Sequence, residues 1–212
     1  MQAAIFDIDG TLLQSDASDD AMYLESIRAA LGDVKLRPSW GMYTQFTAAG
    51  ILAEILRDND LEATPERVAA VRGSFVEGVR RHMSEHGPFA EIPGALAYVQ
   101  SLHTSTTHRI AYATGGWGGS ALLKLSLAGF PVDGVPLASS DDHFERPQIM
   151  LRALGQLNGV FDTITYYGDG HWDAVAANAL GWQFVPVGKK LDGLTKYVPP
   201  LVQQQKPSGV CT

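Results

Sequence analysis

The 212-residue sequence predicts an α/β fold, a parallel sheet with helices on its faces and a helical insert after the first strand. Short apolar runs closed by Gly, Asp, Thr or Ser recur along the chain, and helix-length amphipathic segments separate the later ones. Such alternation of strand and helix is the mark of parallel pairing through crossover helices. A third observation gives the insert: roughly 100 residues lie between Phe6 and Ile110, where a strand-helix-strand unit takes roughly 30.

The first strand is Ala3 to Phe6, apolar without alternation, as suits a parallel strand buried on both faces. Further strands are expected at Ile110 to Ala113, Val135 to Ala138, Thr163 to Tyr167 and Phe184 to Val187. Between them, Gly119 to Ala128, Pro147 to Leu157 and Asp173 to Leu180 carry apolar residues at spacings of three and four, which predicts helices. Within the gap, Asp19 to Leu31, Tyr43 to Leu56 and Pro65 to His86 read as helices, the last opened by Thr64 as cap and Pro65 at the first helical position. The stretch EIPGALAYVQSLH starts another helix after its Pro-Gly break and feeds the second strand. The expected organisation is a core of residues 1–14 and 89–212 with a helical cap over 15–88. From Gly188 onward, ending in QQQKPSGVCT, the chain is expected to pack loosely or to be partly disordered.

Hydrophobic and charged contents of 45% and 18% place the chain among ordinary globular proteins. A net charge of −7 and the absence of any basic run argue against nucleic-acid and anionic-membrane partners. Cys211 is the single cysteine, so an intramolecular disulfide and a thiolate zinc cluster are both excluded. With no signal-peptide pattern and no apolar run of spanning length, a cytoplasmic setting is expected, as a monomer or dimer.

Chemistry concentrates in four stretches. Asp7-Ile8-Asp9-Gly10-Thr11 follows the first strand, Thr114-Gly115-Gly116 follows the second, Arg146-Pro147 opens a helix, and Gly168-Asp169-Gly170-His171-Trp172-Asp173 follows the fourth strand. Asp9-Gly10 would suit a turn, but an acid at Asp7 is costly at the end of a buried strand unless a cation or a reaction employs it. In open α/β sheets ligands bind just beyond the carboxyl ends of the strands, where Asp7 sits. Asp169 and Asp173 are four apart and share a face if Asp173 lies in the first turn of the next helix.

The order and placement of these stretches resemble the four motifs of the haloacid dehalogenase superfamily of hydrolases, over residues 1–14 and about 90–187. The resemblance implies a Rossmann-like core, with the insert standing where that family carries a helical cap. It implies Asp7 as nucleophile, since a carboxylate can attack phosphorus and form an aspartyl-phosphate. Asp9 would act as general acid toward the leaving alcohol and then as base toward water, and an acid at this second position marks the phosphatases and phosphomutases of the family.

Mg²⁺ is the implied cofactor, held by Asp7, Asp169 and Asp173 with the backbone carbonyl of Asp9. Gly10, Thr11, Thr114 and Gly115 would receive the phosphate. Arg146, standing where many members carry lysine, would neutralise charge beside Asp7, with Lys124 or Lys189 next in line for that task. The expected function is a Mg²⁺-dependent phosphatase of the phosphoglycolate phosphatase type, acting on a phosphorylated small molecule. A phosphomutase and a phosphate-sensing regulatory module are the alternatives.

Several features are set aside. GGWGG at 115–119 lacks the spacing of a dinucleotide loop, Asp141-Asp142-His143 reads as a solvated loop, and His82 and His86 read as an exposed helix end. Thr44 and Thr47, in YTQFTAAGIL, are expected to face the cleft.

Overall fold

The structure, a computed structural model, describes residues 1–199; Cys211 and QQQKPSGVCT lie outside the described residues. The strands are β1 Gln2–Phe6, β2 His108–Ala113, β3 Leu137–Ala138, β4 Thr163–Gly168 and β5 Gln183–Pro186, all parallel, in the order β3-β2-β1-β4-β5. Helices α4 Ala95–His103, α5 Gly118–Leu127, α6 Arg146–Gly155 and α7 His171–Ala179 cover the two faces. Between β1 and α4 the chain forms α1 Asp16–Leu31, a 3-10 turn Trp40–Met42, α2 Ala48–Asp58 and α3 Pro65–His86. The α/β class, the parallel sheet and the helical insert are as the sequence predicts.

β1 is the central strand, and its residues split between two cores. Ala4 and Phe6 join a cluster that runs from the α4–α5 face into the insert, while Ile5 joins Ile149, Met150 and Ala176 on the opposite face. Burial on both faces removes the selection for alternation, which is why the strand reads as one apolar run.

Beyond β1, Ile8 to Leu12 make a single helical turn, with the N–H of Leu12 donating to the Ile8 carbonyl at 2.8 Å. The chain then passes its own return: Gln14 N–H donates to Ala90 O, and Ile92 N–H to Leu12 O. The two ends of the helical segment are thereby tied side by side, and α1 packs on α3 across it.

Two elements differ from expectation. β3 has only two residues, because Pro136 has no N–H for the ladder and offers only its carbonyl, to Tyr112 N–H. α2 begins at Ala48 and not at Tyr43: the Glu54 carboxylate takes the N–H groups of Thr44 and Gln45, and Thr47 caps the helix by accepting from Gly50 N–H. Residues 188–199 lie mostly exposed on the surface, as expected, and are anchored at one side chain. Tyr197 is 1% exposed, its hydroxyl donates to Thr11 O, and its N–H donates to Pro93 O.

Candidate active site

Asp7, Thr114 and Asp169 each stand one residue past the end of β1, β2 and β4, on the carboxyl edge of the sheet. The crossovers from β1 diverge there, β2 lying on one side and β4 on the other, so the edge opens into a crevice. Asp7 N–H still donates to Tyr167 O at 2.9 Å, extending the ladder and setting the carboxylate at the crevice floor.

Carboxylate oxygens of Asp7, Asp169 and Asp173 all lie within 4.8 Å of one another, and the three side chains are buried. Asp173 occupies the first turn of α7, where its Oδ2 accepts Gly170 N–H at 3.0 Å. Arg146, at the start of α6, donates from Nη1 to Asp7 Oδ1 at 3.0 Å and holds Nε 3.4 Å from Asp173 Oδ1. Gly10 makes room for this assembly: its φ is +76° and a Cβ there would collide with the Asp169 carboxylate.

The Arg146 guanidinium, with the largely exposed Lys190 ammonium 3.4 Å from Asp169, does not balance three buried acids. Burial raises the Asp7 carboxyl well above its usual range, Arg146 opposing and Asp173, Asp169 and Asp9 adding to it. Burial, then Asp16 and Asp173, push Asp169 up to about 7, and burial likewise raises Asp173. Buried hard oxygens that resist ionisation together fit a small divalent cation such as Mg²⁺.

The same imbalance sets a pH dependence. A carboxyl whose folded value exceeds its unfolded one binds its proton more tightly when folded, so stability falls as pH rises between the two values. For Asp169 that window runs from 3.8 to about 7. In EDTA the protein should melt at a higher temperature at pH 5.5 than at pH 7.5, and Mg²⁺ should restore the loss at pH 7.5. Melting curves that rise with pH in EDTA would contradict the cluster.

Asp9 faces a different partner. Its Oδ1 accepts from Ser15 Oγ and from the ammonium of Lys124, which is 1% exposed and also donates to Asp19 Oδ2 at 2.6 Å. Burial raises the Asp9 carboxyl, but the charge and hydrogen bond of Lys124 outweigh this and hold it below the usual range. Burial and the nearby Asp9 charge push Asp19 well above the usual range despite Lys124. Among the described residues Asp19 Oδ1 is buried with no hydrogen-bond partner.

Thr114 is 1% exposed and its Oγ1 accepts Gly116 N–H at 3.0 Å, leaving the hydroxyl proton to donate. Gly115 lies against the Arg146 guanidinium, and its carbonyl accepts Ala48 N–H. Two expected phosphate ligands are occupied otherwise. Gly10 N–H already donates to Leu13 O, and Thr11 is fully buried with its hydroxyl on Asp7 Oδ2 at 3.3 Å. The Asp9 carboxylate likewise stands outside the three-acid cluster, which leaves its backbone carbonyl for a metal. Lys124 serves Asp9, not Asp7. Lys189 is exposed, and its neighbour Lys190 reaches Asp16 at 2.9 Å and Asp169 at 3.4 Å.

Above the acids a cleft of about 280 Å³ runs toward the insert. Phe46 from the insert stacks on Trp172 at 4.7 Å, and its carbonyl accepts from Arg146 Nη2 at 3.4 Å. Thr47 Oγ1 donates to Phe144 O at 2.6 Å, and Ala49 N–H donates to Ser140 Oγ. Of the two threonines expected to face the cleft, Thr47 lines it while Thr44 turns to Glu54. Asp141-Asp142-His143 is a hydrogen-bonded loop, with Asp142 accepting Ser139 N–H and His143 accepting Glu145 N–H. Among the described residues no helix is long and apolar enough to cross a membrane.

The chain belongs to the haloacid dehalogenase-like hydrolases, whose family model matches residues 1–181. A hydrolase from Pseudomonas syringae superposes with a TM-score of 0.69 at 21% identity, over 88% of this chain and 84% of that one. CbbY from Rhodobacter sphaeroides, solved with phosphate, gives 0.67 at 23% identity over 95% and 90% of the two chains. β-Phosphoglucomutase from Clostridium difficile gives 0.66 at 15% identity over 89% and 85%. At these identities the likeness is one of fold. No curated protein matches the sequence.

Proposed function

We propose that the protein is a Mg²⁺-dependent phosphatase of small-molecule phosphate monoesters, with residues 15–88 acting as a cap over the site. The observation that carries this reading is Asp7: a buried carboxylate at a strand end, pinned by Arg146, with the Asp9–Lys124–Asp19 trio beside it. Asp7 attacks phosphorus through a carboxylate oxygen, and the P–O bond to the alcohol breaks as the aspartyl-phosphate forms. Asp9 would give a proton, shared with the neighbouring Asp19, to the departing alkoxide. In the second half Asp9 takes a proton from water, whose oxygen displaces the Asp7 carboxylate from phosphorus and releases phosphate.

Thr114 Oγ1, whose proton is free to donate, and the Arg146 guanidinium, which contacts Asp7, would hold the phosphoryl oxygens during both steps. Asp7, Asp169 and the carbonyl of Asp9 would hold Mg²⁺ directly and Asp173 would support them, the ion supplying charge neutralisation to the phosphoryl group. The bonds from 46–49 to the loops after β2 and β3 would close the cap and exclude water while the intermediate forms. The low cysteine content fits a cytoplasmic setting.

Turnover of p-nitrophenyl phosphate tests the reading. EDTA should abolish it, Mg²⁺ should restore it, and Ca²⁺ should inhibit by relaxing the octahedral geometry. Undiminished turnover in EDTA would reject the acid cluster as a metal site. A protein that accepts one phosphoryl group and never turns over would instead be a regulatory module.

A further inference from the structure

Resting on the phosphatase reading, we propose that the alcohol half of the substrate carries no negative charge and presents a flat apolar face. The substrate is then the monophosphate of an aromatic or similarly apolar alcohol, and not a bisphosphate or a phosphorylated acid.

With the phosphoryl group at Asp7, the alcohol must extend into the part of the cleft that the insert walls. Tyr23, Trp40, Phe46, Ile51, Phe75 and Trp172 line it. Tyr23 stands between Trp40, 5.6 Å away and tilted, and Phe75, 5.9 Å away and edge-on. Phe46 lies flat on Trp172 at an interplanar angle of 14°. Of the polar side-chain atoms on this wall the two oxygens are engaged, and Trp172 Nε1 is buried with no hydrogen-bond partner among the described residues. Tyr23 Oη donates to Ala48 O, while Thr47 Oγ1 donates to Phe144 O and accepts Gly50 N–H. A polyhydroxylated alcohol would lose its waters there with little in return, whereas ring faces gain contact.

Charge argues in the same direction. Asp16, Asp19, Asp20 and Tyr23 fall on one face of α1 by helical spacing, and all line the cleft. Both cations of the lining are already opposed, Arg146 by Asp7 and Asp173, and Lys190 by Asp16 and Asp169. A second phosphate or a carboxylate would therefore meet acids on α1 with the nearby positive charge committed elsewhere. An amine would find Asp19 tied to Lys124 and Asp16 tied to Lys190, but Asp20 is exposed at the cleft and in no ion pair among the described residues, so the charge of this wall discriminates against anions and not against cations.

The test compares kcat/KM for benzyl, methyl and choline phosphates, 2-phosphoglycolate and a sugar bisphosphate, all with Mg²⁺. Benzyl phosphate should exceed methyl phosphate by on the order of tenfold or more, through KM, and 2-phosphoglycolate and the bisphosphate should fall below methyl phosphate. Trp40→Ala should shrink the benzyl-to-methyl ratio severalfold. Phe75→Leu, which removes the ring but keeps a sizeable apolar side chain at a buried position, should shrink it in the same direction if the first variant folds poorly. A kcat/KM for 2-phosphoglycolate, the bisphosphate or choline phosphate above that for benzyl phosphate overturns the proposal and leaves the phosphatase standing. So does a benzyl-to-methyl ratio near one. Failure to turn over every ester, methyl phosphate included, overturns both.

Discussion

Asp7→Asn should lose on the order of 10⁴-fold or more in kcat, the scale of nucleophile removal, while folding normally. An amide oxygen can still accept from Arg146 Nη1, so the geometry of the strand end survives. The amide cannot form the acyl phosphate, and no neighbouring carboxylate stands where Asp7 does. The effect on stability should have the opposite sign. Burial and the surrounding acids keep the Asp7 carboxyl raised, so exchanging it for a neutral amide relieves repulsion. In EDTA at pH 7.5 the variant should melt no lower than the parent, and Mg²⁺ should raise its melting temperature less. Steady-state kinetics and paired melts check both halves; near-wild-type kcat would remove Asp7 from its role.

Arg146→Ala should be the second most damaging change, in activity and in stability together. Its guanidinium sits between Asp7 and Asp173, and its removal leaves two buried carboxylates with no cation. Breaking a buried pair in this way costs on the order of 3 kcal/mol, partly relieved when the acids take up protons. Loss of a preorganised donor to the transferring phosphoryl group should cost about 10²-fold or more in kcat/KM. Arg146→Lys restores a point charge without the planar fork, so it should keep measurable activity but serve only one of the two acids. A silent Arg146→Ala would move the phosphoryl-binding cation elsewhere. Lys190, which reaches Asp169, is better placed for that than Lys124, which is enclosed by Asp9 and Asp19.

The site residues that could be read from the sequence share one property: each directly follows a strand or opens a helix. Asp7, Thr114, Asp169 and Arg146 take their places from local structure plus sheet order, and short apolar runs mark the strands while helical spacing marks the helices. Asp19 and Lys124 lie 105 residues apart, and each looks like an ordinary helical charge until α1 and α5 meet. A signal existed, since Lys124 interrupts the apolar stretch ALLKLSL, where an unpaired ammonium would be costly to bury. The aromatic wall was likewise hidden, because Tyr23, Trp40 and Phe75 belong to separate elements that only tertiary packing brings together. The start of α2 was misplaced for a related reason. Glu54 draws the N–H groups of Thr44 and Gln45 to itself, and no periodic pattern records that.

The central position of β1 carries a consequence for how the chain acquires its structure. Gln2 pairs with His108 on one side and with Thr163 on the other, so neither partner is near it in sequence. Contacts of such long range must overcome loop-closure entropy before they return any energy, which slows folding. On a growing chain α1 and α3 can associate once residue 86 is available, whereas Asp7 has no neighbour on its β4 side until Thr163–Gly168 has emerged. The acid cluster is consequently among the last features to assemble, and β1 keeps both edges open until His108–Ala113 emerges and its β4 edge open until Thr163–Gly168 does, a state exposed to association with other chains.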